Sequence, residues 1–114
     1  MKRGEVYWAD LIPRSGSEQA GRRPVIIVSH DGFNLTRGWQ SVNLIPITTS
    51  PSQADQETTV EIPSGLAGLR QTSFALCHQV TTLDKGKVAS RIGAVPPEIL
   101  KKIAAAIIVA LDLD

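Results

Sequence analysis

The run Pro24-Val-Ile-Ile-Val-Ser29 constrains what this chain can fold into more than any other stretch. Four consecutive β-branched apolar residues between a proline and a serine favour extended backbone. In a strand, neighbouring side chains point to opposite faces, so an unbroken apolar run must be covered on both. Proline is tolerated at the first position of such a strand. The remainder of a 114-residue chain has to supply that cover. The length is that of one domain, since domains run to about 100–200 residues, and a single domain over 1–114 is expected. A domain this small leaves much of its surface exposed and is often helped by oligomerisation.

The other segments read mostly as strands. Glu5–Leu11 is rich in aromatic and β-branched residues and ends before Pro13. Residues 14–22 form a polar loop with two glycines. Residues 30–40 are a second polar loop, with room for a short helical turn. Ser41–Thr48 is a third strand, and Pro46 marks an edge or bulge position in it. Glu57–Ile62 alternates cleanly and is closed by Pro63-Ser-Gly65. Ser73–Leu83 is the longest strand expected, with Phe74, Leu76, His78 and Val80 on one face and Ser73, Ala75, Cys77 and Gln79 on the other. Asp84-Lys-Gly86 turns into a strand over Lys87–Ile92. Pro96-Pro97-Glu98 then suits a helix start, and Ile99, Ile103, Ala106, Ile107 and Ala110 recur at helical spacing. Several short strands and one C-terminal helix imply a mostly antiparallel small β-barrel with a helix packed on it.

Charge and cysteine content narrow the function classes. The net charge is +1, so an anionic partner must be met by a local cluster, and Arg22–Arg23 with Arg14 nearby is the candidate. A solvated surface pair is the alternative for two adjacent arginines. Cys77 is the single cysteine, which rules out an intrachain disulfide and suits a reducing cytoplasm. It sits in the apolar run Phe-Ala-Leu-Cys, where a buried, inert thiol is expected. His30 and His78 are 48 positions apart, and no Cys/His set has metal-ligand spacing, so neither metal nor cofactor is expected. The longest apolar stretch, Ile103–Leu111, is far short of a membrane span, so a soluble, cytoplasmic protein is expected.

Three segments carry a resemblance. They are Arg3-Gly-Glu-Val-Tyr-Trp-Ala-Asp-Leu11, Gly16-Ser-Glu-Gln-Ala-Gly-Arg-Arg-Pro-Val-Ile-Ile-Val-Ser29 and Ile45-Pro-Ile-Thr48, with a weaker fourth in Cys77-His-Gln-Val-Thr-Thr-Leu-Asp-Lys85. In this order they resemble the signature blocks of MazF/PemK toxins, over nearly the whole chain. The resemblance implies an SH3-like barrel of the PemK/CcdB type that works as a homodimer. It implies sequence-specific cleavage of single-stranded mRNA, and inhibition by a cognate antitoxin whose flexible tail occupies the substrate groove. It assigns catalysis to Arg23, directly before the Pro-Val, and to Thr48, at the close of the third strand. Substrate contacts carried over are Ser17, Glu18, Gln19, Ser73 and Gln79. Many members have glycine where this chain has Ala20.

Arginine and threonine suit phosphoryl transfer at a phosphodiester. A guanidinium is a permanently charged fork that matches two phosphate oxygens. Charge grows on those oxygens as a 2′-hydroxyl attacks, so a cation held there favours the transition state over the ground state. Thr48 can donate a hydrogen bond to the same oxygens. RNA brings its own nucleophile, so no metal-bound water is needed, and the products are a 2′,3′-cyclic phosphate and a 5′-hydroxyl. Proton transfer is the weak point, because an arginine with a pKa above about 12 is a poor base. Glu18 is either the proton acceptor or a loop carboxylate paired with Arg22 or Arg23. His30 reads as a hydrogen-bonded loop residue and His78 as a packed core or interface histidine. Trp39 either stacks an RNA base or caps the barrel, and capping is the expectation.

Two other functions fit a small barrel. A gyrase-directed toxin resembling CcdB would need that family's C-terminal Trp-Gly-Ile tail, whereas this chain ends Ala110-Leu-Asp-Leu-Asp114. A non-catalytic SH3-like binding module would show clustered exposed aromatics, and this chain has five aromatics in all.

Overall fold

The apolar run lies at the centre of one antiparallel sheet. The computed structural model describes residues 1–11, 21–54 and 56–113. Its strands are β1 (Glu5–Leu11), β2 (Gly21–Ile27), β3 (Ser41–Thr48), β4 (Thr59–Ile62), β5 (Ser73–Leu76), β6 (Thr81–Asp84) and β7 (Val88–Ala94). A four-residue helix, α1 (Asp31–Asn34), follows β2, and α2 (Pro97–Leu111) ends the chain. The sheet runs β4-β5-β3-β2-β1-β7, with β6 also paired to β3. Among the described strands β4 and β7 stay at open edges, so the expected barrel is a curled sheet.

Both faces of the middle strands are covered, as the unbroken run requires. Ile26, Ile45, Ile47, Ile62 and Ala75 pack in one cluster with Ile99, Ile103 and Ala106 of α2. Val25, Ile27, Val42, Leu44, Ala9 and Leu83 pack in a second cluster on the opposite face. β2 is longer than the apolar run, and Pro24 sits within it, opposite Trp8 of β1.

Two strand expectations need correction. Of the edge-or-bulge alternatives at Pro46 the edge falls, because β3 pairs with β2 on one side and with β5 and β6 on the other, and the pairing is irregular opposite Pro46. The expected strand Ser73–Leu83 is broken by a 3-10 turn at Cys77–Gln79. Ile47 pairs with Ala75 and Leu44 with Thr81, so three extra residues are looped out opposite Ile45 and Pro46. Pro46 has no N–H to donate there. The looped-out turn carries His78 to the surface, where its Nδ1 lies 3.2 Å from the Thr58 hydroxyl. Of the two expectations for His78, a core or an interface position, the core one falls, because the residue is exposed. Cys77 is buried in the first cluster, and burial pushes its thiol pKa up to about 12, as an inert thiol requires.

The loop over residues 63–72 is seated on β7 by backbone contact. Gly68 has φ +76°, and a Cβ there would lie 2.4 Å from the Ile92 carbonyl oxygen. A Cβ on Gly93 would lie 2.5 Å from the carbonyl oxygen of Ala67. Neither position has space for a side chain.

Candidate active site

The two residues that the sequence resemblance singles out lie toward one end of the β2–β3 pair, Arg23 near the start of β2 and Thr48 at the close of β3. Val25 pairs with Pro46, Ile26 with Ile45 and Ile27 with Leu44. The β2–β3 pairing stops there: Arg23 pairs with Ala9 of β1 and Thr48 with Phe74 of β5. Arg23 is half-buried and Thr48 is buried. The Ser50 N–H donates to Thr48 Oγ1 at 3.1 Å, which leaves the hydroxyl hydrogen for another acceptor.

The other expected substrate contacts are distributed differently. Ser17, Glu18 and Gln19 lie outside the described residues. Ser73 heads β5, is buried, and donates its hydroxyl to the Gln71 carbonyl oxygen at 2.9 Å. Gln79 is half-buried at the end of the 3-10 turn, with its Nε2 3.4 Å from His78 Nε2. The structure thus places Arg23 and Thr48 toward the same end of the antiparallel β2–β3 pair, and holds Ser73 and Gln79 at opposite ends of the segment from β5 to that turn.

A cavity of about 480 Å³ opens beside this pair. Pro24 and Thr49, neighbours of Arg23 and Thr48 in sequence, line it with Trp8, Ser73, Arg70, Gln71 and Ile92. Strand alternation places Pro24 and Thr49 on the face of the first cluster, and Arg23 and Thr48 on the face of the second. The two sets meet at one end of the sheet, where β2 begins and β3 ends. Trp8 is exposed, and the Arg22 guanidinium carbon lies 5.4 Å from its ring centroid.

Sequence reading missed Trp8, Arg70, Gln71 and Ile92. The alternation of β1 puts Trp8 on the same face as Val6, but which strand lies beside it is a tertiary fact. Neither histidine lines the cavity. His30 caps α1, with Nδ1 accepting from the Gly32 N–H at 2.8 Å, as expected of a loop histidine. It follows Arg23 by seven residues along an extended segment, or roughly 20 Å. Trp39 does not cap the barrel: it is exposed and packs on Phe33, with ring centroids 5.0 Å apart. Among the described residues, no three His, Cys, Asp or Glu side chains group where they could hold a metal ion. Nor, among the described residues, is any helix long and apolar enough to cross a membrane.

A family model described as the PemK-like, MazF-like toxin of type II toxin–antitoxin systems matches residues 2–111. The chain belongs to the PemK/MazF toxin family. Endoribonuclease EndoA of Bacillus subtilis is 35% identical over 113 residues, which cover 99% of this chain and 96% of that one. Endoribonuclease MazF of Staphylococcus saprophyticus is 36% identical, over 99% of this chain and 92% of its own. An endoribonuclease from a mycobacterial species, solved in complex with its cognate antitoxin, superposes with a TM-score of 0.82 at 28% identity. That match covers all of this chain and 97% of the mycobacterial one. By family, then, this is a MazF-type endoribonuclease toxin, and the gyrase-directed and binding-module readings give way to it.

Proposed function

We propose that this toxin cleaves single-stranded RNA, mRNA included, at short sequence motifs without a metal ion, through attack of the 2′-hydroxyl on the adjacent phosphodiester. The reading rests chiefly on Arg23 near the start of β2 and Thr48 at the end of β3, antiparallel neighbours whose course brings both toward one end of the sheet. Arg23 holds two oxygens of the phosphate as charge builds on them, and Thr48 donates its free hydroxyl hydrogen to the same group. Neither side chain takes the 2′-hydroxyl proton, because both hold their own protons too tightly. The base comes from elsewhere, and Glu18 is the nearest carboxylate in sequence to the Arg22–Arg23 pair. Ser17, Glu18, Gln19, Ser73 and Gln79 contact the RNA around the cut. The toxin acts as a homodimer in the cytoplasm and is held inactive by a cognate antitoxin that covers the same groove.

The test is chemical. Cleavage of a long single-stranded RNA should persist in excess EDTA and leave a 2′,3′-cyclic phosphate upstream and a 5′-hydroxyl downstream. Replacing the ribose 5′ to the cut with 2′-deoxyribose should abolish cleavage and leave binding largely intact, since phosphate contacts supply much of the affinity. Efficient cutting of that oligonucleotide, or activity lost in EDTA and restored by magnesium, points instead to attack by water.

A further inference from the structure

The cavity beside Pro24 and Thr49 has a chemistry that phosphate cleavage leaves unused. Its volume of about 480 Å³ falls within the range of pockets that take small molecules, about 300–1,000 Å³. Trp8 supplies a flat aromatic surface, steadied by Arg22 over the ring. Leu69 and Ile92 add apolar surface. Arg70 and Gln71 also line the cavity, and no hydrogen bond or ion pair engages either side chain among the described residues. This wall is fixed, because the loop that carries both residues rests backbone to backbone on β7 at Gly68 and Gly93.

We propose that the cavity takes one unpaired nucleobase of the RNA, stacked on Trp8, and that Arg70 and Gln71 select which base enters. The proposal rests on the nuclease reading above and names the specificity element of the same site. Sequence-specific recognition of single strands works by splaying bases onto aromatic surfaces and reading their edges with polar side chains. Stacking accepts any base, whereas an arginine fork or a carboxamide distinguishes one edge pattern of donors and acceptors from another. The two faces of the sheet end supply the rest of the argument. An RNA strand draped over that end presents a phosphate to Arg23 and Thr48 on one face. The base of a nucleotide next to the cut then drops into the cavity on the other.

Trp8 and Trp39 are the two tryptophans, so Trp39→Phe leaves Trp8 as the single tryptophan, and excitation at the red edge of its absorption avoids Tyr7. That protein is titrated in turn with 2′-O-methyl oligonucleotides of U, A, C and G, which 2′-hydroxyl attack cannot cut. One base should quench Trp8 emission at lower concentration than the other three. Trp8→Phe should bind nearly as wild type, and Trp8→Ala about five- to a hundredfold more weakly. Arg70→Ala with Gln71→Ala should level the four affinities, and should relax the base preference at one position flanking the mapped cuts. Unchanged emission with all four oligonucleotides overturns the pocket. A uniform loss of affinity with the preference kept overturns the selecting role of Arg70 and Gln71. A wild-type protein that quenches but never cuts RNA refutes the nuclease reading while leaving the pocket standing.

Discussion

Arg23 and Thr48 differ in what a substitution removes. Arg23 is half-buried near the start of β2, so Arg23→Ala should fold normally and lose about 10²–10³ in cleavage rate. Arg23→Lys should not restore activity, because a point charge cannot reproduce a bidentate fork. Thr48→Val removes the hydroxyl and also strands the Ser50 N–H that it accepts, at a cost of about 1–3 kcal/mol of stability. Thr48→Ser keeps the oxygen, so it should retain most activity and separate the chemical loss from the structural one. Rates and melting temperatures measured together decide the matter. Wild-type cleavage by Arg23→Ala moves the catalytic site elsewhere. Both positions are singled out in the sequence only through the resemblance. Taken alone, Arg22-Arg23 reads better as a solvated pair, and it is the surrounding Gly-Ser-Glu-Gln…Arg-Pro-Val block that changes its meaning.

The elements were easier to read than their interruptions. β1 and β3 match the sequence reading residue for residue, and α2 buries Ile99, Ile103 and Ala106 as its spacing requires. These patterns are local: period two or period 3.6, closed by turn residues. The break at Cys77–Gln79 lies opposite Ile45 and Pro46 of the neighbouring strand, and no pattern within residues 73–83 announces it. The cavity wall was hidden for the same reason. Arg70 and Gln71 look like ordinary loop polars until β7 lies beneath the loop, and the glycines at that contact are 25 residues apart. Gly68→Ala adds a methyl where the backbone already has φ +76° and the Ile92 carbonyl occupies the space. It should cost about 1–3 kcal/mol in urea unfolding. The loop that carries Arg70 and Gln71 should shift with it, so cleavage should fall more than the small loss of folded protein explains. A variant as stable as wild type would show that the loop is not held at Gly68.

At the scale of the whole molecule, burial is uneven. The first half of α2 is anchored in the core, but the helix runs on past its last buried residue, Ala106. Beyond that point Ile108, Val109, Leu111 and Leu113 are exposed, at 43%, 50%, 46% and 64% of their full surface. Leu66 is exposed too, and it lines a second cavity, between β4 and α2, together with Val109. Single exposed apolar residues are ordinary, but four within six positions at one helix end form a patch that calls for a partner. A second copy is the partner implied by the homodimer reading, and a twofold axis lets one patch cover itself. Light scattering at micromolar concentration in physiological salt should therefore give twice the 12.3 kDa of the chain. Val109→Glu puts a charge into that patch without touching the buried residues Ile99, Ile103 or Ala106, so the protomer should keep its fold. Its measured mass should move toward 12.3 kDa at concentrations where the wild type stays dimeric. A wild-type mass of one chain would refute the dimer. A Val109→Glu dimer as tight as the wild type would place the interface away from this end of α2.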